Sequence, residues 1–252
     1  MSAGFSGLFQ TPIAAIFFAM EVLTAGSLEY CALFSCIIAS FIASYTSYAL
    51  GLEKFSVNLS SSLELNALLI GKVILLGILF GIVGGIFAHL LNICKVFLSK
   101  HIKNPILKII ITGCAVSLLL LVLYQGRYSG LGTDLINASF NKGKIYGYDW
   151  ILKLLLTILT LSAGFQGGEV TPLFSIGSCL GVAVANILGL PVELTASLGY
   201  VAVFGSATNT ILAPIFIGVE VFGFDYLPYF FIVSARLMFS MEINQYILHK
   251  EY

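Results

Sequence analysis

The sequence predicts an all-α polytopic membrane protein with broken or re-entrant helices, and three observations support this fold class. Of the 252 residues, 59% are hydrophobic and only 10% are charged, whereas soluble chains carry roughly a quarter charged residues. The mean hydropathy is +1.02. Several apolar segments are shorter than the roughly 20 residues that a helix needs to cross the hydrocarbon. Interrupted helices at membrane depth are tolerated around a cavity, so they are typical of transporters and channels.

The apolar segments give the order of the expected helices along the chain. They fall at Gly7–Leu23, Leu28–Leu50, Leu68–Leu98, Pro105–Tyr124, Trp150–Gly164, Thr171–Leu188, Leu194–Ala207, Leu212–Phe222 and Leu227–Met238. Within the third segment, Gly77, Gly81 and Gly85 have the spacing of a face that packs closely against another helix.

The net charge and the cysteines give no indication of a nucleic-acid, metal or cofactor partner. The formal net charge is zero, which gives no indication of a nucleic-acid partner. The five cysteines show no metal-ligand spacing, so neither a metal nor a cofactor is expected. The lipid bilayer is the expected surrounding of the chain.

The distribution of lysines predicts the orientation in the membrane. Four lysines surround the connection between the third and fourth segments, namely Lys95, Lys100, Lys103 and Lys108. The positive-inside rule places this connection in the cytoplasm. The region around residues 57–62 would then lie on the outer side.

The chain contains an internal repeat with an offset of 199 residues. "TPIAAIFFAMEV" at residues 11–22 aligns with "TILAPIFIGVEV" at residues 210–221. Six positions are identical: Thr11/Thr210, Ala14/Ala213, Ile16/Ile215, Phe17/Phe216, Glu21/Glu220 and Val22/Val221. Intramembrane carboxylates are rare, so two glutamates in register favour a true repeat over chance. We expect Glu21 and Glu220 to have a capping or interfacial role, and repeated halves are typical of transporters with a site between them.

The segment "GFQGGEVTP" at residues 164–172 has the features of an anion site. Thr171 suits a helix N-cap and Pro172 the first helical position, which predicts a non-helical hinge over residues 167–171 and a helix that begins at Thr171 or Pro172. A helix start presents unpaired N–H groups to an anion. Gly167 and Gly168 let the backbone approach an ion closely. Gly177 and Gly181 follow inside this helix with the spacing of close helix packing.

Glu169 is the unusual residue of this segment. It is the only residue between Leu154 and Val192 that carries a charge at neutral pH. An interaction with a helix dipole supplies about 1 kcal/mol or less, whereas a charge at membrane depth costs on the order of 2.5–3.5 kcal/mol on the insertion scale. A proton-binding or ion-gating role accounts for a buried Glu169 better than helix capping does.

Three segments together resemble the C-terminal portion of the CLC family of chloride channels and anion/proton antiporters. They are "AGFSGLFQTPIAAIFFAMEV", "GGEVTPLFSIGSCLG" and "SATNTILAPIFIGVEV", whose order and spacing match across essentially the whole chain. The resemblance implies the inverted-repeat CLC fold as a single transmembrane domain over residues 1–252. Residues 1–50 would be the last helices of the first repeat, and residues 64–252 the second repeat.

The resemblance also implies a set of site residues. In the family, amides at the positions of Glu169 and Val170 hold the anion, beside Gly167, Gly168 and Thr171. A C-terminal tyrosine, here Tyr246, donates its hydroxyl to the central anion. "GGEVTP" resembles the fluoride-transporting bacterial branch, in which the acid and the threonine face the ion pathway. Glu169 is the implied proton-binding or gating residue.

The implied function is transport of a small inorganic anion, chloride or fluoride, coupled to protons by antiport in the complete protein. The implied location is the bacterial inner membrane, and the implied assembly is a homodimer. Its interface would comprise the helices at Thr11–Leu23, Leu28–Tyr48, Leu212–Phe222 and Leu227–Met238. No enzyme activity is expected.

The G-R-E-G stretch of the family, which carries its gating glutamate, does not occur in the 252 residues. We therefore expect an incomplete N-terminal half. Three explanations stay open: the chain is a fragment, its start is wrongly assigned, or it is a split or degenerate member whose missing N-terminal half is a separate partner chain. We also expect that the chain made alone does not transport anions selectively, because an ion site between two repeats needs helix ends from both.

Two other classes remain open at this stage. "GFSG" at residues 4–7 has the G-x-S-G pattern of rhomboid intramembrane proteases, in which Ser6 would be the nucleophile and His89 the base. The third class is a membrane scaffold that transports nothing. Anion flux distinguishes a transporter from a scaffold, and a serine-reactive probe tests the protease.

Overall fold

A computed structural model describes residues 1–23, 27–59, 66–123, 126–141 and 143–235. Over these ranges the chain is helical and contains no strand. The helices are α1 (Ser2–Phe9), α2 (Pro12–Glu21), α3 (Leu33–Ala49), α4 (Ala67–His101), α5 (Pro105–Val122), α6 (Thr133–Phe140), α7 (Asp149–Ser162), α8 (Val170–Leu188), α9 (Val192–Thr208), α10 (Leu212–Phe222) and α11 (Leu227–Ala235). Four segments are long and apolar enough to cross a membrane: Tyr30–Ala49, α4, α5 and α8. The predicted all-α membrane fold is confirmed.

The first predicted segment, Gly7–Leu23, is wrong as a single helix. The chain leaves the helical conformation at Gln10, which has a φ of 54° and a ψ of 38° and ends α1. After this break, α2 begins at Pro12. Two short helices, α1 and α6, were not predicted, because each has only 8 residues and shows no long apolar run.

The centre of the molecule is the contact between α8 and α9. Gly177 of α8 lies against the carbonyl group of Gly199 of α9, so closely that a Cβ atom on either residue would overlap backbone. One turn further along α8, Gly181 lies in the same way against the carbonyl group of Thr195. Close packing at Gly177 and Gly181 is therefore confirmed.

The long helix α4 also packs against α9. A Cβ atom at Gly84 would lie 2.6 Å from the carbonyl oxygen of Val203. Beside this contact, the Ser206 hydroxyl donates to the carbonyl oxygen of Gly81 at 2.7 Å. Gly77, Gly81 and Gly85 are all buried, which confirms the packing face that their spacing predicts.

The two copies of the repeat have the same backbone geometry. Two non-glycine residues in the described ranges have a positive φ, Gln10 at 54° and Asn209 at 57°, and they are 199 residues apart. Each ends a helix in the left-handed conformation, and its N–H donates to a carbonyl four residues earlier, that of Ser6 or Gly205. The break between α1 and α2 is thus repeated between α9 and α10.

The repeated helices α2 and α10 cap each other. Glu21 of α2 accepts hydrogen bonds from three backbone N–H groups at the start of α10, and Glu220 of α10 accepts two at the start of α2. The donors are Ile211, Leu212 and Ala213 to Glu21 and Ile13 and Ala14 to Glu220. The predicted capping role of both glutamates is confirmed.

Candidate anion-binding site

The candidate site is built around the start of α8. The helix begins at Val170, with Glu169 as its N-cap, so the predicted start at Thr171 or Pro172 is wrong by one or two residues. Residues 167–169 are non-helical as predicted, but 170 and 171 are helical. Proline is tolerated throughout the first turn, where the N–H groups are unpaired in any case, so Pro172 marks the turn and not its first residue.

The first turn of α8 leaves backbone donors available. Its first intrahelical bond runs from the N–H of Leu173 to the carbonyl oxygen of Glu169. No side chain of a described residue caps the turn, and Pro172 has no N–H. The N–H groups of Val170 and Thr171 therefore make no hydrogen bond among the described residues, and the positive end of the helix dipole lies beside them. Two adjacent free amides of this kind can hold a small anion.

Glu169 does not lie in an apolar interior. Its carboxylate Oε1 is 3.9 Å from Nζ of Lys95 on α4, and the side chains of Lys95 and Glu169 are 49% and 45% exposed. The complete burial that the apolar neighbours of Glu169 along the chain predict is therefore not found among the described residues. Glu169 is the N-cap residue and directly precedes the two free amides of α8 in the chain.

The segment before Glu169 is exposed and rests on α5. Gly164 has a φ of 98°, a conformation that favours glycine and turns the chain away from α7. Phe165 then packs on α5, where its Cζ atom lies 3.0 Å from the position a Cβ would take on Gly113. Gly167 and Gly168 are exposed, with no neighbouring group that would obstruct an ion at Gly168.

Two predicted site residues remain, of which Thr171 is described by the structure and Tyr246 is not. Thr171 is buried, with 9% of its surface exposed. Tyr246 lies outside the described residues. Lys95 is the residue that sequence reasoning missed at this site: it was interpreted only as an orientation signal, although a lysine within an apolar helix is itself an indication of a polar partner.

The protease pattern is not supported by the geometry. Ser6 is fully buried, and its hydroxyl donates to the carbonyl oxygen of Ser40 at 2.8 Å. His89 is exposed on α4. No hydrogen bond joins the two side chains in the described ranges, so the nucleophile and the base of a protease are not assembled.

Comparison with known families decides the relationship. The family described as "Voltage gated chloride channel" matches residues 1–236. The chain belongs to this family. Its helix breaks, its glycine-packed α8–α9 pair and the free amides at the start of α8 are therefore features of a CLC protein.

Individual CLC relatives include fluoride and chloride transporters. The "Chloride/fluoride channel protein" of Pseudomonas syringae pv. tomato is 35% identical over 234 residues, which cover 90% of this chain and 52% of the relative. The "H(+)/Cl(-) exchange transporter ClcA" of Vibrio cholerae is 26% identical over 202 residues, which cover 72% of this chain and 43% of the relative. The chain spans about half the length of these relatives.

Solved CLC structures share the fold. A crystal structure of a CLC-type fluoride/proton antiporter is 56% identical, with a TM-score of 0.93 over 95% of this chain and 60% of that one. A slow cyanobacterial Cl⁻/H⁺ antiporter is 19% identical, with a TM-score of 0.79 over 99% of this chain and 63% of that one. The second likeness concerns the fold alone.

Proposed function

We propose that this chain forms the anion-binding part of a CLC antiporter that exchanges a small anion, fluoride or chloride, for protons across a bacterial inner membrane. The observation that carries the proposal is the pair of free amides at Val170 and Thr171, which directly follow Glu169 at the start of α8. The amides bind the anion, and Glu169 binds and releases the proton. The 56% identity to a CLC-type fluoride/proton antiporter supports fluoride as the anion.

Because Glu169 directly precedes the free amides, the charge on its carboxylate affects how well they bind an anion. An ionised carboxylate next to the free amides repels an anion, whereas a protonated one does not. Occupancy of the anion site and protonation of Glu169 therefore favour each other, so the two binding events are thermodynamically linked.

The test is flux through proteoliposomes containing the protein as its native gene encodes it. Fluoride efflux is followed with an electrode and proton movement with a pH indicator, for the unaltered protein and for Glu169→Gln. The expected result is that Glu169→Gln uncouples proton movement from fluoride efflux while the protein still assembles. Glu53→Gln, at an exposed glutamate, is the matched control and should exchange both ions normally.

Coupled exchange that is unchanged in Glu169→Gln would refute the role of Glu169. Absence of fluoride and chloride flux from the unaltered protein would refute the transport function. Equal flux of both anions would refute fluoride preference alone.

We also propose that two copies of the protein associate through α3. The membrane-length segment that contains α3 has only 6% of its apolar window buried. Its exposed side chains include Phe34, Ile38, Phe41, Ile42 and Tyr45. A second copy would cover this surface, and single-molecule photobleaching in liposomes should give two steps. One-step bleaching at all protein densities would refute association through α3.

A further inference from the structure

Lys95 and Glu169 form a loose ion pair next to the start of α8. The two charged atoms are 3.9 Å apart, and both side chains are about half exposed, at 49% and 45%. A pair with this distance and exposure contributes little to stability and opens readily. Lys95 is therefore available to exchange one anionic partner for another.

A second lysine lies near the beginning of the exposed segment. The Cε atom of Lys108 on α5 is 4.0 Å from the position a Cβ would take on Gly164. Its Nζ is 3.5 Å from the Ser99 hydroxyl, a long contact with a neutral group. Two lysines from different helices thus lie near the two ends of the segment that leads to the free amides of α8, and among the described residues Lys95 is the one that pairs with Glu169.

We propose that Lys95 recruits the transported anion and passes it to the start of α8, with Glu169 as the competing occupant of its ammonium group. This inference rests on the proposed function of the site. When Glu169 is ionised it neutralises Lys95. When Glu169 takes up a proton, the ion pair is lost and the ammonium group attracts an anion from solution.

Lys95 selects for charge and not for anion type. Its ammonium group is a solvated point charge with no fixed geometry, and half of the side chain is exposed. Removal of this charge should weaken fluoride and chloride to the same extent. Discrimination between fluoride and chloride then depends on the free amides at the start of α8.

The test measures KM and the maximal rate for fluoride and chloride in proteoliposomes containing the protein as its native gene encodes it. The variants are Lys95→Gln, Lys95→Arg and Lys100→Gln, which removes a charge from an exposed lysine near the end of α4 that makes no ion pair in the described ranges. Lys95→Gln is also combined with Glu169→Gln.

Lys95→Gln should raise KM for both anions by roughly threefold, the effect of one solvent-exposed charge contact, with little change in the maximal rate. Lys95→Arg should restore KM, and Lys100→Gln should leave it unchanged. In the Glu169→Gln background the effect of Lys95→Gln should be larger, because Lys95 is no longer neutralised there.

An unchanged KM in Lys95→Gln would overturn the proposal, and so would the same rise of KM in Lys100→Gln. An effect of Lys95→Gln on KM that is equal with and without Glu169 would also overturn it. Calorimetric titration of the purified variants with sodium fluoride gives the same comparison without transport. A Kd raised by Lys95→Gln in a protein without flux would support recruitment by Lys95 and refute only the transport function. An unchanged Kd would overturn recruitment.

Discussion

Glu21 and Glu220 each cap the helix that bears the other. The carboxylate of Glu21 accepts from three N–H groups of α10, and that of Glu220 accepts from two N–H groups of α2. The third donor on α10 is Ile211, whose repeat partner 199 residues earlier is Pro12, which has no N–H. The cap formed by Glu21 therefore has one more hydrogen bond than the cap formed by Glu220, because Pro12 cannot donate one.

This difference predicts unequal effects of removing the two charges. Glu21→Gln and Glu220→Gln should each lower the free energy of unfolding, because hydrogen bonds to a charged acceptor are stronger than those to an amide. Both side chains are partly exposed, so we expect about 1–2 kcal/mol, with the larger loss for Glu21→Gln. Thermal unfolding in detergent measures the effect.

The control for this pair is Glu53→Gln, at an exposed glutamate outside both caps, which should unfold at the original temperature. A larger loss for Glu220→Gln than for Glu21→Gln would contradict the count of hydrogen bonds. Equal loss in all three variants would show that the caps add nothing beyond a surface charge.

The repeat could be predicted because its signal is local. Identical residues at an offset of 199 identify α2 and α10, and their glutamates fall at helix ends, where capping is expected. The structure adds the matched breaks at Gln10 and Asn209. Pro12 follows the first break as prolines often follow helix ends, but neither Gln10 nor Asn209 is a residue whose sequence context fixes a left-handed conformation.

The environment of Glu169 could not be predicted because it depends on packing between distant segments. A run of apolar neighbours along the chain indicated burial for Glu169. The structure instead places it at an exposed helix start beside Lys95, 74 residues away by their numbers 95 and 169. No periodic pattern links these positions, since their proximity follows from how α4 passes the start of α8. The glycine spacing in α8, by contrast, is a property of one helix and predicted its packing face.

The second prediction concerns the aromatic contact between the repeats. Phe17 and Phe216 stack with ring centroids 4.4 Å apart and an interplanar angle of 5°. Because they occupy equivalent positions, each ring contacts its own repeat partner. A double-mutant cycle of Phe17→Ala and Phe216→Ala should give a coupling free energy of about 0.5–1.5 kcal/mol. The cycle of Phe17→Ala with the exposed Phe231→Ala should give none, and equal coupling in both cycles would refute a specific contact.

The third prediction concerns the α8–α9 contact. Gly177→Ala should prevent the two helices from packing, because its methyl group would overlap the backbone carbonyl of Gly199, and a rigid backbone cannot yield as a flexible side chain does. We expect little folded protein on size-exclusion chromatography. Gly71→Ala is the matched control, since Gly71 lies on α4 with nothing within 4 Å of the added methyl group, and it should be neutral or stabilising by up to about 1 kcal/mol. Normal yield of Gly177→Ala would contradict the contact.

The last prediction concerns the buried carboxylate of Asp149, which holds the connection between α5 and α6. Asp149 is fully buried and accepts from Arg127 Nη2 at 2.8 Å, the Tyr128 hydroxyl at 2.6 Å and the Tyr146 N–H at 2.9 Å. Burial, together with the hydrogen bond to Asp149, raises the pKa of Tyr128 above its ordinary range, so its hydroxyl stays protonated and donates.

Asp149→Asn should therefore destabilise the protein by about 3 kcal/mol. The amide keeps the shape of the carboxylate but leaves the Arg127 charge without its partner, and its NH₂ group cannot accept a hydrogen bond. Asp225→Asn, at an exposed aspartate, should cost less than about 0.5 kcal/mol. Denaturant unfolding followed by tryptophan fluorescence measures both, because Trp150 is adjacent to Asp149 in α7. The double variant Arg127→Met with Asp149→Asn separates the ion pair from the other contacts. If its loss of unfolding free energy equals the sum of the losses of the two single variants, the ion pair contributes nothing of its own. The cost of Asp149→Asn then lies in its hydrogen bonds to Tyr128 and Tyr146.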